Sequence, residues 1–123
     1  MTITLYGIPN CNQVKLARTW LTEHQLAFDF HDYKKAGITA EVINSWLQQV
    51  EWQSLLNRRG TTWRKLSAAE QAAVQDQQSA VQCMVQSPSL IKRPVLVLQT
   101  ATGSEIVLGY SEPQYKQLFS ITG

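Results

Sequence analysis

The apolar residues of the first third change period twice, and that pattern constrains the fold more than any other feature. Over residues 2–6 (TITLY) they alternate, with Ile3 and Leu5 on one face, which predicts a strand. Gly7-Ile8-Pro9 breaks the alternation. Asn10 is a favourable N-cap, so a helix is predicted from Cys11. Val14, Leu16, Ala17, Trp20 and Leu21 form its broad apolar stripe, and Gln25 lies near its end. Alternation returns over residues 27–31 (AFDFH), with Phe28 and Phe30 inward. A strand, a helix and a second strand make a βαβ unit, and its crossover helix makes the two strands parallel.

The middle of the chain reads as helical. Thr39 can cap a helix carrying Val42, Ile43, Trp46, Leu47 and Val50. A short turn around Ser54 to Leu56 precedes a loop at Asn57-Arg58-Arg59-Gly60. Ser67-x-x-Glu70 is a capping box, so helix follows it. Ala80, Val81, Met84 and Val85 continue the spacing as a separate helix after Asp76, which Ser87-Pro88 stops. Strands then return. Val95-Leu96-Val97-Leu98 is a continuous apolar run, as in a strand covered on both faces. Thr102-Gly103 is a turn, and Glu105 to Leu108 completes a hairpin. Ser111-x-x-Gln114 reads as a second capping box, with Tyr115, Leu118 and Phe119 inward on a last helix. The order is β-α-β, a helical insert at about residues 38–88, then β-β-α, within a single α/β domain over 1–123.

Composition closes off other classes. The 123 residues are 44% hydrophobic and 16% charged, which fits a folded domain with its own core and argues against disorder. A net charge of +2 is too small to point to nucleic acid or a membrane surface as partner. The N-terminus has neither a charged n-region nor a long apolar stretch, which argues against a secretory signal. The longest apolar runs are far shorter than a membrane span. Two cysteines are no disulfide framework, and the two cysteines and two histidines show no zinc spacing, so no metal is expected.

The residue that carries chemistry is Cys11. It follows a strand end and stands at the first turn of a helix. Open α/β sheets bind ligands at the carboxyl ends of their strands. A helix start supplies free backbone N–H groups and a positive dipole end, and both favour thiolate, the nucleophilic form. Cys11-Asn12-Gln13-Val14 is not C-x-x-C, so the site is monothiol. Cys83 lies beside Met84 in an apolar helical segment and reads as packing. Arg93-Pro94 is the second signal. Proline directly before a buried strand forfeits a backbone donor, a choice that a cis bond explains. Arg93 at that strand start can offer a planar fork to a carboxylate or oxyanion. Arg58, Arg59, Arg64 and Lys65 form a basic cluster in the insert.

Four segments resemble a known family: Leu5-Tyr6-Gly7-Ile8-Pro9-Asn10-Cys11, His31-Asp32-Tyr33, the run from Leu55 through Asn57-Arg58-Arg59-Gly60-Thr61-Thr62-Trp63-Arg64 to Leu66, and Ile91-Lys92-Arg93-Pro94. The resemblance is to the ArsC/Spx family, most closely to its YffB-like branch of thiol reductases, and it covers essentially the whole chain. It implies a thioredoxin-like fold with a helical insertion and a cytoplasmic setting. It also implies a nucleophile at Cys11, a cis-proline at Pro94, and glutathione as cosubstrate with no tightly bound cofactor. Asn10, Asn12, Arg58, Arg59, Arg93 and Pro94 are the expected glutathione or substrate contacts, and a protein thiol or an oxyanion is the expected substrate. The arsenate reductases of the family carry a histidine where this chain has Gly7. Of their three arginines only Arg93 has a clear counterpart; the first falls at Asn57, beside Arg58 and Arg59, and the third near Gly109. Those departures place glutathione-dependent thiol reduction ahead of arsenate reduction. The second expectation is an Spx-like regulatory module binding a large protein such as RNA polymerase, although the C-x-x-C frequent in that group is missing.

Overall fold

A computed structural model describes residues 1–121. The chain forms two compact units, one of Met1–Asp32 together with the chain from Arg93 onward, the other of Tyr33–Lys92. Among the described residues no helix is long and apolar enough to cross a membrane.

The first unit is a four-stranded mixed sheet with two helices. Strand β1 (Thr2–Gly7) leads into helix α1 (Asn12–Glu23) and strand β2 (Asp29–Asp32). The two strands pair in parallel, with Leu5 opposite Phe30 and Tyr6 opposite His31, as the crossover requires. Strand β3 (Val95–Thr100) lies antiparallel on the other side of β1, and β4 (Gly103–Leu108) closes the hairpin. The strand order is β2-β1-β3-β4, the thioredoxin-like arrangement.

Register explains the core. Ile3 faces Leu98 and Leu5 faces Leu96 across the β1–β3 ladder, so one sheet face is aliphatic. Ala17, Trp20 and Leu21 of α1 and Tyr115 near the chain end cover it, with Phe28 and Phe30 packed alongside. Leu5, Leu21 and Leu96 are fully buried, which is worth about 1.5–3 kcal/mol for each side chain. Tyr115 also meets Trp20 and Tyr110 edge to face.

Helix α1 ends without a glycine. The N–H of Leu26 donates to the Leu21 carbonyl at 2.9 Å and that of Gln25 to the Thr22 carbonyl at 3.0 Å. That is a Schellman closure, and it holds Gln25 at φ 58°, the left-handed region.

The second unit is helical. It contains α2 (Tyr33–Ala36), α3 (Ala40–Trp46), α4 (Trp52–Leu55), α5 (Thr61–Arg64), α6 (Ala68–Ala72) and α7 (Gln77–Gln86), with a 3-10 turn at Pro88–Leu90. Thr39 caps α3 through the Val42 N–H, and Ser67 with Glu70 forms the reciprocal box on α6. Asp76 and Ser79 form another on α7, a pairing outside the Ser/Thr-x-x-Glu pattern. Helix α3 stops at Trp46, so Val50 lies beyond it. The final helix, α8 (Glu112–Leu118), belongs to the sheet unit. Ser111 caps it by accepting from the Gln114 N–H, but the predicted box is half made. The Ser111 hydroxyl meets Gln114 Oε1 at 3.1 Å, so that side-chain oxygen is taken up by the hydroxyl.

Candidate functional site

The loop after β1 is a tight turn. The N–H of Cys11 donates to the Ile8 carbonyl at 3.1 Å, with Pro9 at the turn position that favours its fixed φ. Asn10 is used up inside that turn, and its exposed side chain caps nothing described. The cap passes to Cys11, which is extended (φ −84°, ψ 129°) while its carbonyl already accepts from the Lys15 N–H at 3.0 Å. Helix α1 therefore starts at Asn12, one residue later than the sequence predicts. The correction matters chemically, because the Cys11 sulfur now stands where a capping oxygen would, facing the donors of the first turn.

Arg93 reaches the same place by register. Tyr6 pairs with Val95, so the antiparallel ladder sets the start of β3 beside the end of β1. The Arg93–Pro94 peptide is cis. Pro94 is buried, and its carbonyl accepts from the Gly109 N–H at 2.8 Å.

The electrostatics of Cys11 follow from these neighbours. Partial burial of the sulfur opposes ionisation and is the largest single influence. It is outweighed by the Val14 N–H, a hydrogen bond from the Arg93 side chain, the Gln13 N–H and the Arg93 charge, so the thiol is held below its ordinary value. As a thiol Cys11 makes no capping bond; as a thiolate it has two backbone donors and a guanidinium facing it. That set can stabilise a sulfur nucleophile or a leaving thiolate.

The other residues singled out by sequence distribute as follows. Asn12 is exposed at the first position of α1. Arg58 and Arg59 belong to the helical unit, on the loop between α4 and α5. There the Asn57 side chain accepts from the Arg59 N–H at 3.1 Å, and the Leu90 carbonyl accepts from the Asn57 N–H at 2.7 Å. The Arg58 guanidinium lies over Trp52 and Trp63, 5.6 and 5.7 Å from their ring centres. With Arg59, Lys92, Asn57 and Gln53 it lines a cavity of about 330 Å³. Cys83 sits on α7 with its thiol pushed up by burial and by the Glu70 charge, the opposite of Cys11. Among the described residues no group of three or more His, Cys, Asp or Glu could hold a metal ion.

Sequence reasoning placed free helix-start N–H groups at Cys11 but did not assign them to Gln13 and Val14. They were legible in principle, since they are the second and third residues after the cap, but a cap placed at Asn10 aims the helix start elsewhere.

Comparison with known proteins matches residues 6–118 to the ArsC family. The chain is 44% identical to the YFFB (PA3664) protein, whose solved structure superposes with a TM-score of 0.85 over 94% of this chain and 97% of that one. It is 43% identical to an arsenate reductase (ArsC) related protein from Brucella melitensis, with a TM-score of 0.70 over 97% and 95% of the two chains. It is also 23% identical over 121 residues to the global transcriptional regulator Spx of Streptococcus pyogenes, covering 96% of this chain and 85% of the regulator.

Proposed function

The chain belongs to the ArsC family, and from that premise we propose that it is a glutathione-dependent thiol reductase with Cys11 as its single nucleophile. The observation that supports this most is the convergence on one sulfur of two helix-start N–H groups and the Arg93 guanidinium. A purely structural cysteine has no need of such donors.

The chemistry is thiol–disulfide exchange. The Cys11 thiolate attacks one sulfur of a disulfide, such as one joining glutathione to a protein thiol. The S–S bond breaks, and the departing sulfur leaves as a thiolate with the bonding pair. Cys11 is then in mixed disulfide with glutathione. A second glutathione thiolate attacks that glutathione sulfur, releasing oxidised glutathione and restoring the Cys11 thiolate. Arg93 would hold a glutathione carboxylate or the anion of an oxyanion substrate. Asn10 and Asn12 flank the sulfur and would supply polar contacts. Gly7 leaves the loop without the histidine of the arsenate reductases, which is why a thiol substrate ranks above arsenate.

The likeness to Spx supports a second reading, a regulatory module bound to a large protein. Such a module needs no activated thiol. Mass spectrometry of the protein mixed with oxidised glutathione separates the two. A single glutathione adduct on Cys11, removed by reduced glutathione, is the expected result. An unmodified protein, or an adduct confined to Cys83, would overturn the reductase reading.

A further inference from the structure

Gly7 is the last residue of β1, and Val14 is the third residue of α1. The glycine is not there for its backbone, since Gly7 is not among the positive-φ residues. It is there for space. A Cβ on residue 7 would lie 2.7 Å from one γ-carbon of Val14, 3.4 Å from the other and 3.6 Å from its Cβ. Real carbons essentially never approach to 2.7 Å, so something would have to move. Val14 is 0% exposed and β-branched, and in a helix such a side chain has one strongly preferred rotamer. Turning the branch aside is costly, so the helix start would move instead.

The same residue meets the nucleophile. The Val14 N–H is one of the backbone donors facing the Cys11 sulfur, and the Gln13 N–H is the other. Val14 thus touches the strand end with its side chain and the sulfur with its main chain. We infer that the contact between Gly7 and Val14 sets the first turn of α1 against the Cys11 sulfur, so that Val14 is a positioning residue for the nucleophile and position 7 must carry no side chain. The inference rests on the reading of Cys11 as a nucleophile, and its test needs no glutathione.

The measurement is the pH profile of iodoacetamide alkylation at Cys11, in a Cys83→Ser background, together with the melting temperature. Gly7→Ala should push the first turn away from β1 and raise the alkylation midpoint by about half to one pH unit. Gly7→Ala combined with Val14→Ala removes both γ-carbons and leaves the 3.6 Å approach to the residue 14 Cβ, an ordinary contact. That double variant should return the midpoint to its original value while still melting below the parent, because a buried branch is lost. A purely structural contact would lower the melting temperature and leave the midpoint alone, and that result overturns the inference. So does a double variant as shifted as Gly7→Ala itself. Should Gly7→Ala not fold, the double variant decides. Folded with the original midpoint it supports the inference; unfolded or shifted, it overturns it.

Discussion

The Cys11 sulfur balances one opposing influence against several favourable ones, and Arg93 supplies two of the latter, a hydrogen bond and a charge. Removing that side chain leaves burial and the two backbone donors. Arg93→Ala should therefore move the alkylation midpoint of Cys11 upward, toward the free-cysteine value near 8.5. The sign at neutral pH follows directly. A higher midpoint means a smaller thiolate fraction, so alkylation slows below the midpoint and recovers at high pH. Glutathione affinity should fall with it, because a charge-assisted hydrogen bond is worth about 1.5–3 kcal/mol, or roughly ten- to a hundredfold in binding. Arg93→Lys keeps the charge and loses the fork, so it should restore part of the midpoint and less of the affinity. Alkylation profiles and calorimetric titration with reduced glutathione on the three proteins check this. Equal midpoints across the set would show that Arg93 does not act on the sulfur.

Two helices of the sheet unit end on residues that their sequence does not advertise. Gln25 follows α1 at φ 58°, and Ser120 follows α8 at φ 55°. Each sits in a Schellman closure. In the second, the N–H of Ser120 donates to the Gln117 carbonyl at 3.2 Å and that of Ile121 to the Lys116 carbonyl at 2.8 Å. A side chain in the left-handed region costs about 1 kcal/mol or more, which glycine avoids. Gln25→Gly should therefore raise stability by about 0.5–1 kcal/mol, net of the extra freedom glycine gains in the unfolded chain. Ser120→Gly should act in the same direction. Thermal or urea unfolding reads the change, and a loss of stability in both would show that the closures are unstrained. These ends also show why helix boundaries are hard to read. The caps at Thr39, Ser67 and Ser111 announce themselves because hydroxyl residues prefer that position. A Schellman end held by tertiary packing announces nothing when its left-handed residue is Gln or Ser.

Across the whole molecule, what periodicity controls was legible: the βαβ start, the β3–β4 hairpin, and helices α3, α6 and α7, whereas the single-turn helices α2 and α5 are too short to show a period. So was Arg93 beside a proline before the apolar strand. The meeting of Arg93 with Cys11 was expected through the family resemblance and a cis bond at Pro94, not through periodicity, because it depends on the β1–β3 register pairing Tyr6 with Val95. The cap at Cys11 was displaced by a turn that Pro9 and Asn10 form together, a choice that single-residue preferences do not resolve. The fold also divides its two thiols: Cys11 lies in the sheet unit and Cys83 in the helical one. Their environments act in opposite directions. Cys11 is held down despite its burial, whereas burial and the Glu70 charge push Cys83 up. Below both midpoints, each pH unit of separation multiplies the thiolate ratio by ten. A lower-pKa thiolate is the weaker nucleophile, with a Brønsted slope of about 0.5, so the rate ratio grows by about threefold per unit. With limiting iodoacetamide at neutral pH, Cys11 should take the label faster than Cys83, as read by peptide mass spectrometry. The preference should narrow as pH rises through the Cys11 midpoint, where Cys11 is already ionised and only Cys83 still gains thiolate. Cys83→Ser should keep the fast phase and the glutathione adduct, and Cys11→Ser should lose both. Labelling of the two cysteines at equal rates would remove the division, and Cys83 would then have to be counted among the reactive thiols.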